Sequence, residues 1–332
     1  LDIEAASVTV HSEPNGRISA FYAGNYARGA RQVVGDGDDF SVSVNASQFK
    51  SLTSMFNDDD EIKISRVKLG LQIRSKGSSV LLREWGEQEE NDLRSRKEVE
   101  LQATLPSDSL FSEADAAAGF VATGYTRPAL TGILLSFNET LSLTATDGDS
   151  AFYVSETDAK VQGPGLVVVP TEDFVLGARL VSGGNVHLYK PKGQEAVIIY
   201  NNEAIFRLSL VSAPWPNTTE LTKPRKSAHL KVEAAQLRNI VSAAKTLQSV
   251  GASPYVEMAP SKGRVIFKTE SEQGRFTTSV KGDVRSVMHY SPESLAKVIK
   301  LGPVLDFYVP EKASDPTVVE CGHRRCWIMA RT

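Results

Sequence analysis

One pattern recurs three times along this chain of 332 residues, and it restricts the possible folds more than any other feature. Each copy has a short helical segment with a polar start, then a small polar turn, then an alternating apolar strand. Phe49, Phe174 and Leu295 are equivalent anchors, and successive anchors lie 125 and 121 residues apart, which is the length of a domain. The three copies span residues 44–64, 169–189 and 290–309.

Each copy is predicted to be mostly sheet with a little helix. A hairpin follows every short helix, because two alternating segments flank a turn that contains Gly or Asn. A further strand pair precedes each helix, and the second and third copies open with a strand and an amphipathic helix at 99–121 and 229–249. The first copy lacks this opening, so we expect roughly 25 residues upstream of Leu1 in the natural protein.

Two polar segments separate the copies and predict the domain boundaries. Residues 86–97 are highly charged, and residues 214–226 are rich in Pro, Thr and Lys, as exposed connections commonly are. The predicted domains are 1–97, 98–225 and 226–332. The fold class is therefore α+β, with three tandem domains whose helices lie on one face of antiparallel sheets.

Composition restricts the location and the class of partner. The chain has two cysteines, no signal-peptide pattern and no apolar run of the roughly 20 residues that a membrane span needs, so a cytoplasmic protein without membrane contact is expected. The net charge of −3 combines 37 basic with 40 acidic residues. Any nucleic-acid surface must therefore be a local basic patch.

Four short motifs in the second copy narrow the choice among such repeat proteins. They are Thr126-Arg-Pro-Ala-Leu-Thr-Gly132, Leu143-Thr-Ala-Thr-Asp-Gly148, Ile205-Phe-Arg-Leu-Ser-Leu-Val211 and Trp215-Pro-Asn217. Their order resembles the middle domain of the bacterial-type DNA sliding clamps, the beta subunits of DNA polymerase III. The resemblance covers the second and third copies in full and the first only from its first hairpin onward, and it agrees with the repeat found independently.

This resemblance implies a ring-forming protein that is not an enzyme and needs no cofactor. Clamps of this family form head-to-tail homodimers that encircle double-stranded DNA without sequence preference. They tether the replicative polymerase and other replication and repair proteins through short peptide motifs, and a separate clamp-loader ATPase opens them. A β-rich structural or interaction protein that does not act on DNA remains the alternative.

The resemblance also places a partner-peptide pocket between the second and third domains. Asp149, Ser150 and Ala151 stand where the family usually has His-Arg-Leu, so the partner preference is expected to differ from the family's. Interdomain core is the alternative interpretation of the same residues. The predicted pocket residues are Leu130, Thr146, Gly148, Asp149, Ser150, Ala151, Pro216, Glu220, Leu221, Trp327 and Met329.

A clamp needs cations on its inner helices, because sequence-independent DNA binding is mostly phosphate neutralisation. Lys231, Arg238 and Lys245 recur every seven residues beside an apolar helical face. The helix beginning at Ser107 is acidic instead, which makes the predicted lining uneven, and ordinary solvated helix faces are the alternative. The predicted DNA-facing residues are Lys50, Arg127, Arg179, Lys231, Arg238, Lys245, Lys297 and Lys300.

The resemblance further implies that Val80 and Leu82 of one subunit meet Leu247 of the other at the dimer interface. Catalytic and nucleotide-binding signatures are not found in the sequence. Cys321, His323 and Cys326 offer only three of the four ligands that a structural zinc site uses, so we predict no metal site there. The acidic run 58–61 is interpreted as a solvated turn.

Overall fold

The computed structural model describes residues 7–12, 17–23, 27–34, 40–53, 55–56, 61–84, 98–124, 126–223, 227–247 and 254–331, with the backbone alone for 7–34 and for 46 and 50. Within these residues the α-helices are α1 (Ala46–Thr53), α2 (Ser107–Ala118), α3 (Thr171–Leu180), α4 (Ala234–Thr246) and α5 (Pro292–Ile299). A single turn of 3-10 helix spans Pro128–Thr131.

The strands are β1 (Ser7–Ser12), β2 (Arg17–Ala23), β3 (Ala27–Val34), β4 (Phe40–Asn45), β5 (Lys63–Val67), β6 (Gly70–Ser75), β7 (Ser78–Arg83), β8 (Val99–Pro106), β9 (Gly132–Phe137), β10 (Leu141–Thr146), β11 (Ala151–Glu156), β12 (Lys160–Gln162), β13 (Gly165–Pro170), β14 (Asn185–Pro191), β15 (Ala196–Tyr200), β16 (Ala204–Ser209), β17 (Ser227–Glu233), β18 (Val256–Ser261), β19 (Arg264–Ser271), β20 (Gly274–Lys281), β21 (Met288–Tyr290), β22 (Val304–Pro310), β23 (Thr317–Cys321) and β24 (Arg324–Ile328).

The predicted order of elements is confirmed in all three copies. A strand, a short helix, a strand and a hairpin follow one another as β4-α1-β5-β6-β7, as β13-α3-β14-β15-β16 and as β21-α5-β22-β23-β24. Strand pairs in the described part of the chain are antiparallel throughout, as in β10 with β11 and β22 with β23. The α+β class with antiparallel sheets is therefore confirmed.

The contacts divide the chain into two compact units. The first takes its described residues from Leu1–Phe111, Lys160–Gly163 and Glu172–Leu210. It contains a nine-stranded sheet in the order β12-β8-β14-β15-β16-β3-β2-β1-β4 and a three-stranded sheet of β5, β6 and β7. Buried side chains of β4, β6 and β7 form one of its cores: Val42, Val44, Leu71, Ile73 and Leu82.

The second unit takes its residues from Ser112–Ala159, Pro164–Thr171 and Val211–Thr332. Its eight-stranded sheet has the order β13-β9-β10-β11-β24-β23-β22-β17, and a four-stranded sheet has the order β20-β19-β18-β21. Helix α4 lies against α5 and against β19 and β20, and it buries Leu237, Ile240 and Val241. These positions have the helical spacing predicted from the sequence.

Two long sheets explain why the compact units differ from the three predicted domains. Strand β16 of the second copy pairs with β3 of the first, and β11 of the second copy pairs with β24 of the third. Each sheet therefore joins strands from neighbouring copies. Division into three domains with edges near 98 and 226 stays a prediction.

Helix α5 begins at a well-formed N-terminal cap. The Ser291 hydroxyl accepts a hydrogen bond from the amide of Ser294 at 3.0 Å, and Pro292 occupies the first turn. Leu295 and Val298 are fully buried. In the described residues no helix is long and apolar enough to cross a membrane.

Candidate functional site

A pocket in the second unit, of about 570 Å³, brings together ten of the eleven residues predicted for partner binding. Glu220 is the exception, because it does not line the pocket and its carboxylate instead pairs with Lys223 at 2.5 Å. The ten lining residues that were predicted are Leu130, Thr146, Gly148, Asp149, Ser150, Ala151, Pro216, Leu221, Trp327 and Met329.

Asp147 shapes the pocket from the turn between β10 and β11. Its Oδ1 accepts hydrogen bonds from the amides of Asp149 at 3.0 Å, Ser150 at 2.8 Å and Ala151 at 2.9 Å. Its Oδ2 accepts from the Ser150 hydroxyl at 2.6 Å and from the Lys297 ammonium at 2.7 Å. One carboxylate thus holds three consecutive pocket residues.

Gly148 in the same turn leaves room for its neighbours. Its φ is +83°, and a Cβ there would lie 2.6 Å from Leu130 Cδ1 and 2.8 Å from Arg127 Nη1. The Thr146 hydroxyl accepts from the Gly148 amide at 3.0 Å and donates to the Ala151 carbonyl at 2.7 Å. Only glycine combines this backbone conformation with such close packing.

The charge of Asp147 is stabilised despite its position. Burial by itself raises the pKa of this carboxyl, but the hydrogen bonds from Lys297, Ser150 and the backbone amides outweigh burial. They hold its pKa well below the ordinary value of 3.8. The carboxylate is therefore ionised at neutral pH and keeps all its acceptor sites.

Aromatic and apolar side chains form the walls. Phe152 of β11 lies directly opposite Trp327 of β24, with ring centroids 5.2 Å apart. The amide of Met329 donates to the Ser150 carbonyl at 2.9 Å, which ties the segment after β24 to the turn. Leu130 is 3% exposed and Trp327 6% exposed, so the pocket has a firm apolar base.

The segment predicted as a linker supplies one side of the pocket. Its start is fixed because the Val211 amide donates to the Val168 carbonyl at 2.9 Å, and Leu221 closes a turn by donating to the Thr218 carbonyl at 3.0 Å. Nine other residues that line the pocket were not predicted for it from the sequence. They are Arg127, Pro128, Ala129, Phe152, Ala213, Pro214, Asn217, Thr218 and Pro316, and all but Pro316 lie within three residues of a predicted member.

The pocket rim carries one charge of each sign. Arg127 Nη1 lies 4.0 Å from Asp149 Oδ1, and the two side chains are 61% and 83% exposed. Because both side chains are exposed, both are accessible to a ligand. Such an exposed pair also contributes little to stability. Arg127, which was predicted to face DNA, directly precedes the 3-10 turn and lies at the pocket rim.

The predicted DNA-facing residues fall into different environments. Arg238, Lys245 and Lys300 are exposed on α4 and just after α5. Arg179 is exposed on α3, with its guanidinium carbon 5.2 Å from the centroid of the Phe111 ring. Each of these four cations is accessible to solvent.

The other residues predicted to face DNA are not free, solvent-exposed cations on helices in the described part of the chain. Lys231 belongs to β17, because α4 begins only at Ala234, and its ammonium lies 3.6 Å from Asp306. Lys297 forms an ion pair with Asp147, as described above. The side chain of Lys50 lies outside the described residues.

Helix α2 directs one of its three acidic side chains inward, whereas Asp108 and Asp115 are exposed. The carboxylate of Glu113 is 2% exposed and accepts hydrogen bonds from Tyr153 at 2.9 Å, Ser155 at 2.5 Å and Arg324 at 2.7 Å. His323 Nε2 lies 2.9 Å from it. This network joins α2 to β11 and to the final hairpin.

The residues predicted for a subunit contact are placed unequally. Val80 and Leu82 face the core, where Leu82 is 2% exposed, whereas Leu81 between them is 46% exposed because side chains alternate along β7. A subunit contact at this hairpin edge stays a prediction, and Leu81 is the exposed apolar side chain there. Leu247, at the end of α4, is half-buried.

The described residues contain no group of three His, Cys, Asp or Glu side chains arranged to hold a metal ion. Cys326 is fully buried, and burial raises the pKa of its thiol. His323 contacts Glu113 instead of the cysteines. Asp58, Asp59 and Asp60 of the acidic run lie outside the described part of the chain.

Solved structures of bacterial sliding clamps share this fold. The DNA polymerase III beta subunit of Thermotoga maritima aligns with a TM-score of 0.83 and 13% identity over 100% of this chain and 92% of that one. The clamp of Pseudomonas aeruginosa bound to griselimycin aligns with a TM-score of 0.82 and 17% identity, covering 98% and 91%. The Helicobacter pylori clamp bound to a DNA ligase peptide gives 0.79 and 14%, covering 98% and 92%.

Neither a protein-family model nor a curated protein matches this chain by sequence. The structural likeness nevertheless extends over nearly the whole chain. The chain therefore has the fold of the bacterial DNA sliding clamps, and the resemblance found from its motifs is confirmed at the level of fold.

Proposed function

We propose that this chain is a DNA sliding clamp, which encircles duplex DNA and tethers replication and repair proteins to it. The observation that carries the proposal is the pocket, which brings together ten of the residues predicted for partner binding in a chain with a sliding-clamp fold. The proposed role is mechanical rather than enzymatic. It requires a closed ring and a docking site, and it requires neither a catalytic residue nor a cofactor.

The proposed DNA contact is electrostatic and independent of base sequence. Arg238, Lys245 and Lys300 are exposed on or next to the two packed helices α4 and α5, and Arg179 is exposed on α3. Four such cations favour weak binding that salt weakens further, because each phosphate contact releases counterions. Weak contact suits a ring that must slide.

The proposed partner is a short extended peptide with apolar anchors. Leu130, Phe152 and Trp327 provide an apolar base that can receive the anchor side chains of such a peptide. The Helicobacter pylori clamp binds a peptide of a DNA ligase, which supports a peptide ligand of this class. We assign DNA polymerase and a clamp-loader ATPase to the same pocket.

Asp149 places an acidic side chain where the resemblance implies a basic one, so the partner preference of the pocket differs from that expected of the family. Its carboxylate is 83% exposed, so a basic residue next to the apolar anchors of a partner peptide can reach it. Arg127 at the same rim can pair with an acidic neighbour. Peptides that carry both signs beside the anchor are therefore the proposed partners.

The ring is proposed to close by pairing two copies head to tail. Strand β7 is an edge of its three-stranded sheet and exposes Leu81, while β20 is an edge of its four-stranded sheet near the end of α4. Pairing of two such edges covers unpaired backbone groups. Leu81, rather than Leu82, is then the apolar side chain of the first edge, and Leu247 lies near the second.

Retention on circular DNA tests the proposal. The protein is loaded onto nicked plasmid with a bacterial clamp loader and ATP, passed through a sizing column at high salt, and passed again after a single restriction cut. A clamp travels with the circle and leaves the linear product. Equal retention before and after cutting, or none on the circle, would indicate a β-rich interaction protein that does not encircle DNA. A cytoplasmic, DNA-associated location belongs to the same proposal.

A further inference from the structure

Lys297 and Asp147 form an ion pair that differs from the surface pairs of this molecule. They are 150 residues apart in sequence, yet the ammonium lies 2.7 Å from Asp147 Oδ2. Their side chains are only 21% and 16% exposed, whereas those of the Lys223 and Glu220 pair are 57% and 79% exposed. Partial exclusion of water makes the first pair a strong, charge-assisted hydrogen bond.

Asp147, the acidic partner of Lys297, accepts the hydrogen bonds that hold the turn at 148–151. Four donors from Asp149, Ser150 and Ala151 converge on the two oxygens of Asp147. The Ser150 carbonyl in turn accepts from the Met329 amide. Any movement of this carboxylate therefore moves the turn and loosens the segment after β24.

We propose that Lys297 is a positioning residue of the pocket, which holds the turn at 148–151 in its ligand-binding conformation through Asp147. The inference deepens the proposed function, on which it rests. Without the ammonium, the Asp147 carboxylate is left partly buried with no cation, and it gains hydration only if the turn opens. Apparent affinity for a ligand then falls in proportion to the fraction of molecules that keep the closed turn.

This inference separates the roles of two lysines that the sequence predicts to be equivalent. Lys300, one residue beyond α5, is exposed and free to serve a DNA-facing surface. Lys297 points to the turn after β10 and supports partner binding. The Lys297 side chain thereby couples helix α5 to the pocket.

Hydrogen exchange tests the positioning role without any ligand. We expect the amides of Asp149, Ser150 and Ala151 to exchange about tenfold faster in Lys297→Met, because their acceptor is released. Lys300→Met removes the same charge from the same region without touching Asp147, and its exchange in this turn should equal that of the wild type. Unchanged exchange in Lys297→Met, with the protein folded, would overturn the proposal.

Peptide affinity tests the consequence for the pocket. The probe is the fluorescein-labelled DNA ligase peptide of the Helicobacter pylori complex, titrated with the full chain and followed by anisotropy. We expect Lys297→Met to weaken binding about tenfold and Lys300→Met to leave it unchanged. Asp147→Asn combined with Lys297→Met should recover part of the loss, since the amide keeps an acceptor oxygen but leaves no buried charge.

The two measurements distinguish the failure of this inference from the failure of the proposed function. If the wild type binds the peptide and Lys297→Met binds it equally well, Lys297 has no positioning role. If the wild type does not bind the peptide, the proposal that this pocket takes the same class of peptide as the Helicobacter pylori clamp is contradicted. In that case the exchange rates of the turn amides still decide whether Lys297 positions the turn.

Discussion

Replacement of Arg324 by methionine is expected to destabilise the protein by about 3 kcal/mol, the lower end of the cost of breaking a buried ion pair. Its guanidinium donates to Glu113 Oε1 at 2.7 and 3.0 Å and to Oε2 at 3.1 Å. Glu113 is 2% exposed, so water cannot replace the lost cation. Tyr153 and Ser155 still donate to the carboxylate in the variant, which limits the loss.

The pH dependence of stability gives an independent value for the same interaction. Burial raises the pKa of Glu113, but the hydrogen bonds from Arg324, Ser155 and His323 outweigh it and lower the pKa from 4.5 to about 2. A pKa lowered in the folded state stabilises the protein above the unfolded pKa, and this contribution of ~3 kcal/mol is lost as the pH falls from about 4.5 to 2. In Arg324→Met we expect less loss of stability across this window.

Thermal unfolding at pH 7, followed by circular dichroism, is the assay. A loss of about 3 kcal/mol corresponds to a Tm lower by about 6–12 °C for a unit of this size. Arg325→Met is the matched control, because Arg325 pairs with Glu320 at the surface and is 54% exposed, so its loss should cost less than about 1 kcal/mol. A similar fall in Tm for both variants, or a fall below about 2 °C for Arg324→Met, would refute this account of Glu113.

Two further predictions concern the turn and the basic helix. Gly148→Ala should destabilise the protein more than Gly77→Ala, because both glycines have positive φ but only at position 148 does a Cβ meet Leu130 at 2.6 Å; equal losses on chemical denaturation would show that the contact relaxes freely. Replacing Arg238 and Lys245 together by methionine should make the negative slope of log K against log salt for linear duplex DNA shallower by about 2, as measured by anisotropy. An unchanged slope would exclude α4 from the DNA contact.

The fold could be predicted from the sequence because its information is local and repeated. Helix α4 buries Leu237, Ile240 and Val241, the positions that its apolar spacing indicates. Hairpins such as β15 and β16 follow from alternation on either side of a short turn. The copies reinforce one another, so an ambiguous segment in one is resolved by its equivalents.

Side-chain partners that are distant in sequence could not be predicted in this way. Lys297 has the helical spacing of a solvent-facing cation, yet it pairs with Asp147. Glu113 lies among exposed acids of α2, but Arg324, 211 residues away, holds it in the interior. Motif resemblance placed the pocket residues, and it gave no information on which charges pair around them.

Residence time on end-blocked DNA tests most directly the central claim that the chain holds DNA topologically. Fluorescent protein threads onto a linear duplex through its open ends, streptavidin then blocks the biotinylated ends, and dissociation is followed at high salt. A clamp should stay many times longer on blocked than on open DNA, with little effect of salt on the blocked molecules. Equal residence on both, shortened by salt, would mean that charge alone holds the protein to DNA, and would contradict the clamp.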